Sequence, residues 1–182
     1  MKKDHVKELR GDLKQFHEMT RKFYRGELTV PEYKSISGGF GSYAQRGGQR
    51  SMLRLRLTGG EIRKEELRFI IDSIQKYQID RVHLTTCQSL QFHDLHEDDV
   101  CTLMEEAFDY GIVTRGGGGD FPRNVMCSPL SGVEREECFD VLPYAEETTD
   151  YVLGLIHQVK LPRKLKISFE NGIKNDTHAT FR

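Results

Sequence analysis

The feature that most constrains the fold of this chain is the strict alternation in SMLRLRLTGG, residues 51–60. Apolar side chains stand at every second position: Leu53, Leu55 and Leu57. Arg54 and Arg56 occupy the positions between them. A period of two predicts a half-buried β-strand, which turns an apolar face to a core and a cationic face away from it.

The patterns that follow this strand predict a ferredoxin-like α+β domain. Residues 61–79 predict an amphipathic helix. Its inward side chains are expected to be Ile62, Leu67, Ile70, Ile71 and Ile74. Residues 81–95 predict two short strands with a break near 87–89, residues 96–112 a second helix with an acidic first turn, and residues 111–114 a last strand. The order of strand, helix, two strands, helix and strand is that of a ferredoxin-like α+β domain.

Helical patterns also precede this domain. Residues 4–25 predict an amphipathic helix. A second, short helix is expected to follow, with Thr29 as its N-cap and Pro31 in its first turn. We therefore interpret residues 1–50 as a helical and extended lead-in to the ferredoxin-like domain.

The glycine run in RGGGGD, residues 115–120, predicts a domain boundary. The half-domain then spans residues 51–115, and residues 116–182 form the first part of a second α+β domain. In that second part, residues 144–158 predict a helix and LPRKLKISF, residues 161–169, a strand. The strand would place three apolar side chains on one face: Leu165, Ile167 and Phe169.

The composition argues against several classes of protein. The 182 residues carry a formal net charge of -1, which gives no support to nonspecific binding of nucleic acid. No apolar run could span a membrane and the first residues, MKKDHVKELRGDLKQF, lack the apolar region of a secretory signal, so we expect a cytoplasmic protein. The four cysteines lack the spacing of a zinc or iron–sulfur ligand set. The last residues, HATFR, predict the start of another strand, and the chain is expected to be part of a longer polypeptide.

Cationic side chains recur on the faces opposite the apolar rows of three predicted strands. They are Arg54 and Arg56, His83, and Lys164 with Lys166, and Arg123 follows the glycine run. Each alone is most simply a solvated outer face. Because the chain is slightly acidic while these faces hold no acidic residue, the set predicts a shared anion site if the strands converge. The glycine run is either a flexible linker or a close approach of backbone to a bulky ligand.

Four stretches together resemble the amino-terminal half of the sirohaem-dependent nitrite and sulfite reductases. They are GSYAQRGGQRSMLRLRLTGG, VHLTTCQSLQFHDL, GDFPRNVMCSPLSGV followed by ECFDVLPYA, and LPRKLKISF. They occur in the order of the family and cover most of the chain from about residue 35 to 182. The resemblance implies the six-electron reduction of sulfite or nitrite at sirohaem, coupled to a 4Fe-4S cluster, with ferredoxin or a flavoprotein as electron donor.

The resemblance also implies roles for individual residues. The anion pocket above the haem iron would consist of Arg54, Arg123, Lys164 and Lys166. Guanidinium groups bind an oxyanion through a planar fork, and an ammonium group can also deliver protons. Family positions that line or hold the tetrapyrrole would be matched by Arg56, His83, Thr85, Thr86, Cys87, Gln88, Gln91, His93 and Asn124.

Two departures from the family pattern concern the cofactors. Cys87 stands where the family often has an arginine that helps to bind the macrocycle, so either sirohaem binding is weakened or another cation, such as Arg56, substitutes. The cysteines of this chain do not match the cluster ligands, which lie further along in the family. The chain alone is therefore expected to bind neither cofactor and to be inactive without the C-terminal half of the same polypeptide.

Two alternative functions remain open on the sequence alone. A non-catalytic relative that binds tetrapyrrole, or has only a structural role, is compatible with Cys87. A ferredoxin-like module could instead bind RNA through its cationic face, although the central strands lack the outward aromatic pair that a stacking RNA-binding sheet needs. In the favoured interpretation the partners are a small oxyanion and an electron donor, and include neither nucleic acid nor a membrane.

Overall fold

The structure, a computed structural model, describes residues 3–162 and 164–172, with side chains from residue 5 onwards. The described part contains five α-helices and six β-strands. The helices are α1 Lys3–Tyr24, α2 Val30–Ser37, α3 Lys64–Lys76, α4 Glu97–Asp109 and α5 Leu142–Gly154. The strands are β1 Ser42–Ala44, β2 Ser51–Arg56, β3 Val82–Leu84, β4 Ser89–Leu95, β5 Val125–Cys127 and β6 Ile167–Phe169. Short 3-10 turns cover Gly38–Phe40 and Thr58–Gly60.

The first four strands form one antiparallel sheet in the order β1-β2-β4-β3. Strands β2 and β3 flank α3 along the chain, yet β4 lies between them in the sheet, as in the split β-α-β unit of a ferredoxin-like fold. The predicted last strand at 111–114 is wrong, because that segment makes only one isolated bridge, between Arg56 and Val113. The expected α+β class is confirmed by the mixed helices and strands.

Helices α1, α3 and α4 share a single core with one face of this sheet. Leu53 and Leu55 of β2 are fully buried in it. Helix residues of the same core include Leu9, Leu13, Phe16, Phe69, Ile70, Leu103 and Met104. Two predicted inward positions of α3 are wrong, since Leu67 and Ile71 are 47% and 46% exposed. The buried stripe of α3 instead follows Phe69, Ile70 and Ser73.

A second packing unit consists of α5 and the parallel pair β5–β6. The predicted strand at 161–169 is wrong over most of its length, because only Ile167–Phe169 pairs. Before it, the Leu165 amide donates to the Pro162 carbonyl in a turn, and Lys164 has a positive φ of 63°. Leu165, expected to face inward, is 38% exposed.

Helix α5 also differs in its bounds from the expected helix at 144–158. It begins at Leu142, directly after the buried Val141, and its α-helical part ends at Gly154. Turns then continue to Gln158, whose backbone amide donates to the Leu155 carbonyl. The short helix α2 agrees with its prediction, with Thr29 as N-cap in a capping box with Glu32.

The glycine run 116–119 is a packed segment, which contradicts the flexible-linker interpretation. A side-chain carbon at Gly118 would lie 2.0 Å from the Tyr43 hydroxyl and 2.2 Å from the Gly38 carbonyl oxygen. At Gly117 such a carbon would lie 2.8 Å from the Thr114 carbonyl oxygen. At Gly117 and Gly118 the run therefore approaches its own chain so closely that it leaves no room for a side chain.

Arg115, at the start of the run, ties it to α1. Its Nε donates to Asp12 at 3.2 Å, its Nη1 donates to the Gly39 carbonyl at 2.7 Å, and its guanidinium lies 4.5 Å from the centre of the Phe40 ring. In residues 3–162 and 164–172, no helix is long and apolar enough to cross a membrane. The predicted strand at HATFR lies outside the described residues.

Candidate anion site

Polar side chains line up across the sheet on the face opposite the core. In the strand register Arg54 of β2 lies opposite Gln91 of β4, and Gln91 lies opposite His83 of β3. The amide of Gln91 is assigned with its oxygen toward Arg54, where it accepts from Nε at 3.1 Å and from Nη2 at 2.7 Å. Its nitrogen then donates to Nε2 of His93 at 3.2 Å. This row fixes the direction of the Arg54 guanidinium.

Arg54 and Arg123 converge on one acceptor, the carbonyl oxygen of Gly117. Nη1 of Arg54 donates to it at 2.7 Å, and Nη1 of Arg123 donates to it at 2.8 Å. Burial, and then the nearby Arg123 cation, lower the pKa of Arg54. A guanidinium has five N–H donors, and Gln91 and Gly117 take three of those of Arg54. Two guanidinium groups with unused donors therefore lie side by side.

Arg56 does not share the open face with Arg54. It is only 5% exposed, and its Nη1 donates to the Pro122 carbonyl at 3.0 Å. A side-chain carbon at Gly116 would lie 2.7 Å from the same Nη1. The glycine run thus encloses the end of β2, so the sequence-based placement of Arg56 on an outward cationic face is wrong.

The turn between β3 and β4 is held in place by hydrogen bonds of Asn124 and Gln88. The buried amide nitrogen of Asn124 donates to the carbonyls of Leu57, Cys87 and Gln88. Gln88, which has a positive φ of 53°, donates to the Cys127 carbonyl at 2.8 Å and accepts from the Cys127 amide at 3.0 Å. Both residues therefore hold the turn in place through hydrogen bonds to backbone atoms.

The remaining predicted cofactor residues lie around the same turn. The Thr85 hydroxyl accepts from the Ser89 amide at 3.2 Å, while Thr86 is exposed at the tip. Cys87 is a free, half-buried cysteine beside this turn, and His83 is exposed on the edge strand β3. His93 is half-buried, and burial, followed by Arg81, lowers its pKa. The strand register places His83 and His93 on the same face as Gln91, and Thr85, Thr86 and Cys87 lie in the turn between β3 and β4.

Lys164 and Lys166 are brought next to Arg123 by a backbone contact. The Arg123 amide donates to the Leu165 carbonyl at 3.1 Å, so the two lysines flank the residue that is bonded to Arg123. Lys164 is exposed and Lys166 is half-buried. Neither lysine forms an ion pair with a carboxylate of the described residues. Three of the predicted cations, Arg123, Lys164 and Lys166, thus lie on two adjacent segments, and Arg54 of β2 is linked to Arg123 through the Gly117 carbonyl.

Sequence reasoning missed the groups that organise the site. They are the carbonyls of Gly117 and Pro122 and the Tyr43 side chain, which packs against Gly38 and Gly118. The glycine run was a signal for close packing, but it did not indicate which backbone would be approached. Among the described residues, no group of three or more His, Cys, Asp or Glu side chains could hold a metal ion.

Two family models match this chain in succession. Residues 43–107 match the nitrite/sulfite reductase ferredoxin-like half domain, and residues 118–182 match the nitrite and sulphite reductase 4Fe-4S domain. The chain therefore belongs to the nitrite and sulfite reductase family. This confirms the family that the four sequence stretches resemble.

The similar curated proteins are reductases of this family. The chain is 30% identical over 135 residues to a ferredoxin–nitrite reductase of Synechococcus elongatus, with 71% of this chain and 26% of the relative covered. It is 28% identical over 127 residues to a sulfite reductase [ferredoxin] of Mycobacterium tuberculosis, with 70% and 23% covered. The chain spans about a quarter of the length of the curated relatives it matches.

Two solved structures share the fold. The Mycobacterium tuberculosis NirA protein superposes with a TM-score of 0.75 at 21% identity, over 92% of this chain and 35% of that chain. A dissimilatory sulfite reductase I gives a TM-score of 0.54 at 14% identity, over 88% of this chain and 46% of that chain. Both likenesses concern the fold alone.

Proposed function

We propose that this chain forms the anion-binding part of a sirohaem-dependent sulfite or nitrite reductase. The observation that carries the proposal is the convergence of Arg54 and Arg123 on the single carbonyl of Gly117, at 2.7 and 2.8 Å. A carbonyl oxygen carries only a partial charge, so it leaves two cations without a counter-ion. A small oxyanion would supply that charge and take the unused N–H groups.

The lysines extend this pocket in the proposal. Lys164 and Lys166 lie next to Arg123 along the backbone, and they make no ion pair with the described carboxylates. Guanidinium groups keep their charge, whereas an ammonium group can also pass a proton to an oxygen atom that is leaving the substrate. The arginines would thus bind and orient the anion, and the lysines would supply charge and protons at the reacting oxygen.

The donor set of the site fits a tetrapyrrole with many carboxylates. Cationic and amide side chains lie on the face of the sheet opposite the core: Arg54, Gln91 and His83, with Arg123 beside Arg54. The turn that contains Thr85 and Thr86 follows β3 directly. Charge-assisted hydrogen bonds of this kind hold carboxylate groups strongly. Sirohaem, when bound, would supply electrons to the anion at its iron. The chain's own residues would hold the carboxylate rim and keep the anion pocket cationic.

The cluster and the electron donor are further parts of the proposal. The match of residues 118–182 to a 4Fe-4S domain supports a 4Fe-4S cluster in the working enzyme. Several relatives are ferredoxin-dependent nitrite or sulfite reductases by name, which supports ferredoxin as the electron donor. Since relatives of both kinds match at similar identity, we propose both sulfite and nitrite as substrates to be tested.

The absorption spectrum of the full-length gene product, purified without air from a host that makes sirohaem, tests the cofactor. We expect a Soret band and a chlorin-type band in the red that shift when sulfite or nitrite is added. A colourless protein from such a host would contradict the proposal. It would favour a non-catalytic relative, in which Cys87 marks the loss of a cofactor contact.

Three substitutions test the anion pocket in the holoenzyme. Arg123→Ala and Lys164→Ala should each lower turnover by about a hundredfold or more, because each removes a charge beside the reacting anion. Lys160→Ala is the control, because the Lys160 side chain is 84% exposed and its Nζ makes only a long contact, of 3.7 Å, with a carboxylate oxygen of Asp120. Equal turnover of all three variants would remove the pocket assignment, whatever the spectrum shows.

The RNA-binding alternative gains no support from the open face of the sheet. Within β2, β3 and β4 the only Phe, Tyr or Trp residue is Phe92, and it is fully buried in the core. The polar row on the other side, Arg54, Gln91 and His83, offers no stacking platform of paired aromatic rings.

A further inference from the structure

The guanidinium of Arg56 is buried without a partner for most of its donors. The side chain is 5% exposed, and its single hydrogen bond to the described residues runs from Nη1 to the Pro122 carbonyl at 3.0 Å. Its Nε and Nη2 atoms are buried and have no acceptor in the described part of the chain. A side-chain carbon at Gly116 would lie 2.7 Å from both Nη1 of Arg56 and the Phe121 ring.

Among the described residues, no carboxylate is paired with this charge. The charged group that acts on Arg56 is Arg123, another cation, and burial together with Arg123 lowers the pKa of Arg56 to about 10. At neutral pH the group is therefore still charged. Arg56 also lines a cleft of about 710 Å³ together with the acidic residues Glu61, Glu66, Glu146, Glu147 and Asp150. Glu61 and Glu146 are paired with Arg63, and the buried Nε and Nη2 of Arg56 bond to none of the five.

An uncompensated buried charge is costly for folding, because desolvation is not repaid by a partner. The position of Arg56 suggests what the charge does. It lies two positions after Arg54 on β2, and it bonds to the residue that precedes Arg123. In a low-dielectric interior, such a charge acts on its surroundings with little screening by salt.

We propose that Arg56 is a positioning residue of the anion site, which raises anion affinity at Arg54 and Arg123 through its buried, unneutralised charge and without touching the anion. The inference rests on the proposed function, since it concerns the same site. The stored charge lowers the stability of the chain, and binding of an anion beside it recovers part of that loss. Arg56 thus lowers the stability of the chain and raises its affinity for an anion.

The test compares Arg56→Met and Arg56→Lys with the unchanged full-length gene product. Nitrite affinity is measured by calorimetric titration at pH 6.5, against sodium chloride of equal ionic strength, and thermal unfolding is followed without nitrite. We expect Arg56→Met to bind nitrite about tenfold more weakly, because a nearby charge is lost. Its Tm should nevertheless rise by a few degrees, because an unpaired buried charge is removed. Arg56→Lys, which keeps the charge, should remain within about threefold of the unchanged chain.

The matched control is Arg68→Met, which removes an exposed arginine of α3 and should change neither quantity. If Arg56→Met does not fold, Arg56→Gln replaces it, because its amide can still donate to the Pro122 carbonyl. Unchanged nitrite affinity in the uncharged variant would overturn the inference and leave the pocket intact. A lowered Tm with weakened binding in both Arg56→Met and Arg56→Lys would show a merely structural role. Absence of nitrite binding by the unchanged chain would overturn the pocket as well.

Discussion

At the scale of single residues, Asn124 makes the hydrogen bonds that join the end of β2 to the turn before β4. Its side chain is 2% exposed, and its amide nitrogen donates to three carbonyls, of Leu57, Cys87 and Gln88. These carbonyls belong to the end of β2 and to the turn before β4. One amide group therefore fixes the position of the turn at the edge of the proposed cofactor face.

Replacement of Asn124 by alanine should destabilise the chain by about 2–4 kcal/mol, because it leaves buried carbonyl groups without a donor. Urea unfolding followed by circular dichroism measures the change. The control is Gln75→Ala on the exposed side of α3, which should stay within about 0.5 kcal/mol of the unchanged chain. A similar, small effect at both positions would mean that the Asn124 contacts contribute little.

At the scale of elements, the glycine run 116–119 packs closely against the 3-10 turn at Gly38–Phe40, next to the sheet. The Gly116 amide donates to the Gly39 carbonyl at 2.8 Å, and the Gly117 amide donates to the Thr114 carbonyl at 2.9 Å. The same segment presents the Gly117 carbonyl to both arginines of the anion site. A change in its packing should therefore affect stability and the anion site together.

Gly118→Ala should destabilise the chain by about 3 kcal/mol, because the new methyl group would overlap the Tyr43 hydroxyl and the Gly38 carbonyl. Gly11→Ala is a matched substitution in α1, where no atom lies within 4 Å of the added carbon. It should stabilise the chain by about 0.5–1 kcal/mol through helix propensity. Denaturant unfolding of both variants measures the difference, and equal free energies of unfolding would contradict the tight packing of the run.

The elements also show how far the sequence could predict this molecule. The alternation of Leu53, Arg54 and Leu55 predicts β2 correctly, because strand periodicity is a local property. The burial of Arg56 depends on a glycine run that lies distant in the sequence, so no local pattern indicates it. Lys164 breaks the expected strand by a positive φ, which alternation alone does not reveal.

At the same scale, the candidate site was predicted in part. The strand register places Arg54, Gln91 and His83 in one row, as the shared cationic face requires. The bonds of Gln88 to Cys127, by contrast, depend on tertiary contact between the two matched segments. Residue types predicted which side chains would lie near the candidate site, whereas their partners depend on tertiary packing.

At the scale of the whole molecule, the two matched segments share contacts and part of their core. Phe121, Val152 and Leu153 of the second segment are buried in the same cluster as Leu55 and Leu57 of the first. The hydroxyls of Thr58 and Thr149 add a hydrogen bond of 3.1 Å between them. The two segments therefore pack against each other through a shared core.

We expect the chain to unfold in one cooperative transition, because neither segment keeps a complete core without the other. Differential scanning calorimetry measures the number of transitions, and the calorimetric and van't Hoff enthalpies should agree. Gln88→Ala, which removes the bonds to Cys127, should lower the single Tm without splitting it. Two resolved transitions in the unchanged chain would contradict the shared core.

The parallel pairing of β5 with β6 has a consequence in time. It joins Val125 to Ile167 across a long loop that includes α5, whereas β3 and β4 are joined by a short turn. Closing the long loop costs more entropy, so the parallel pair should form late in folding. Because the contact of Arg123 with Leu165 extends that pair, the lysines should reach the arginines only in this late step. A newly made chain would thus acquire its β3–β4 hairpin first and the complete set of cations at its anion site later.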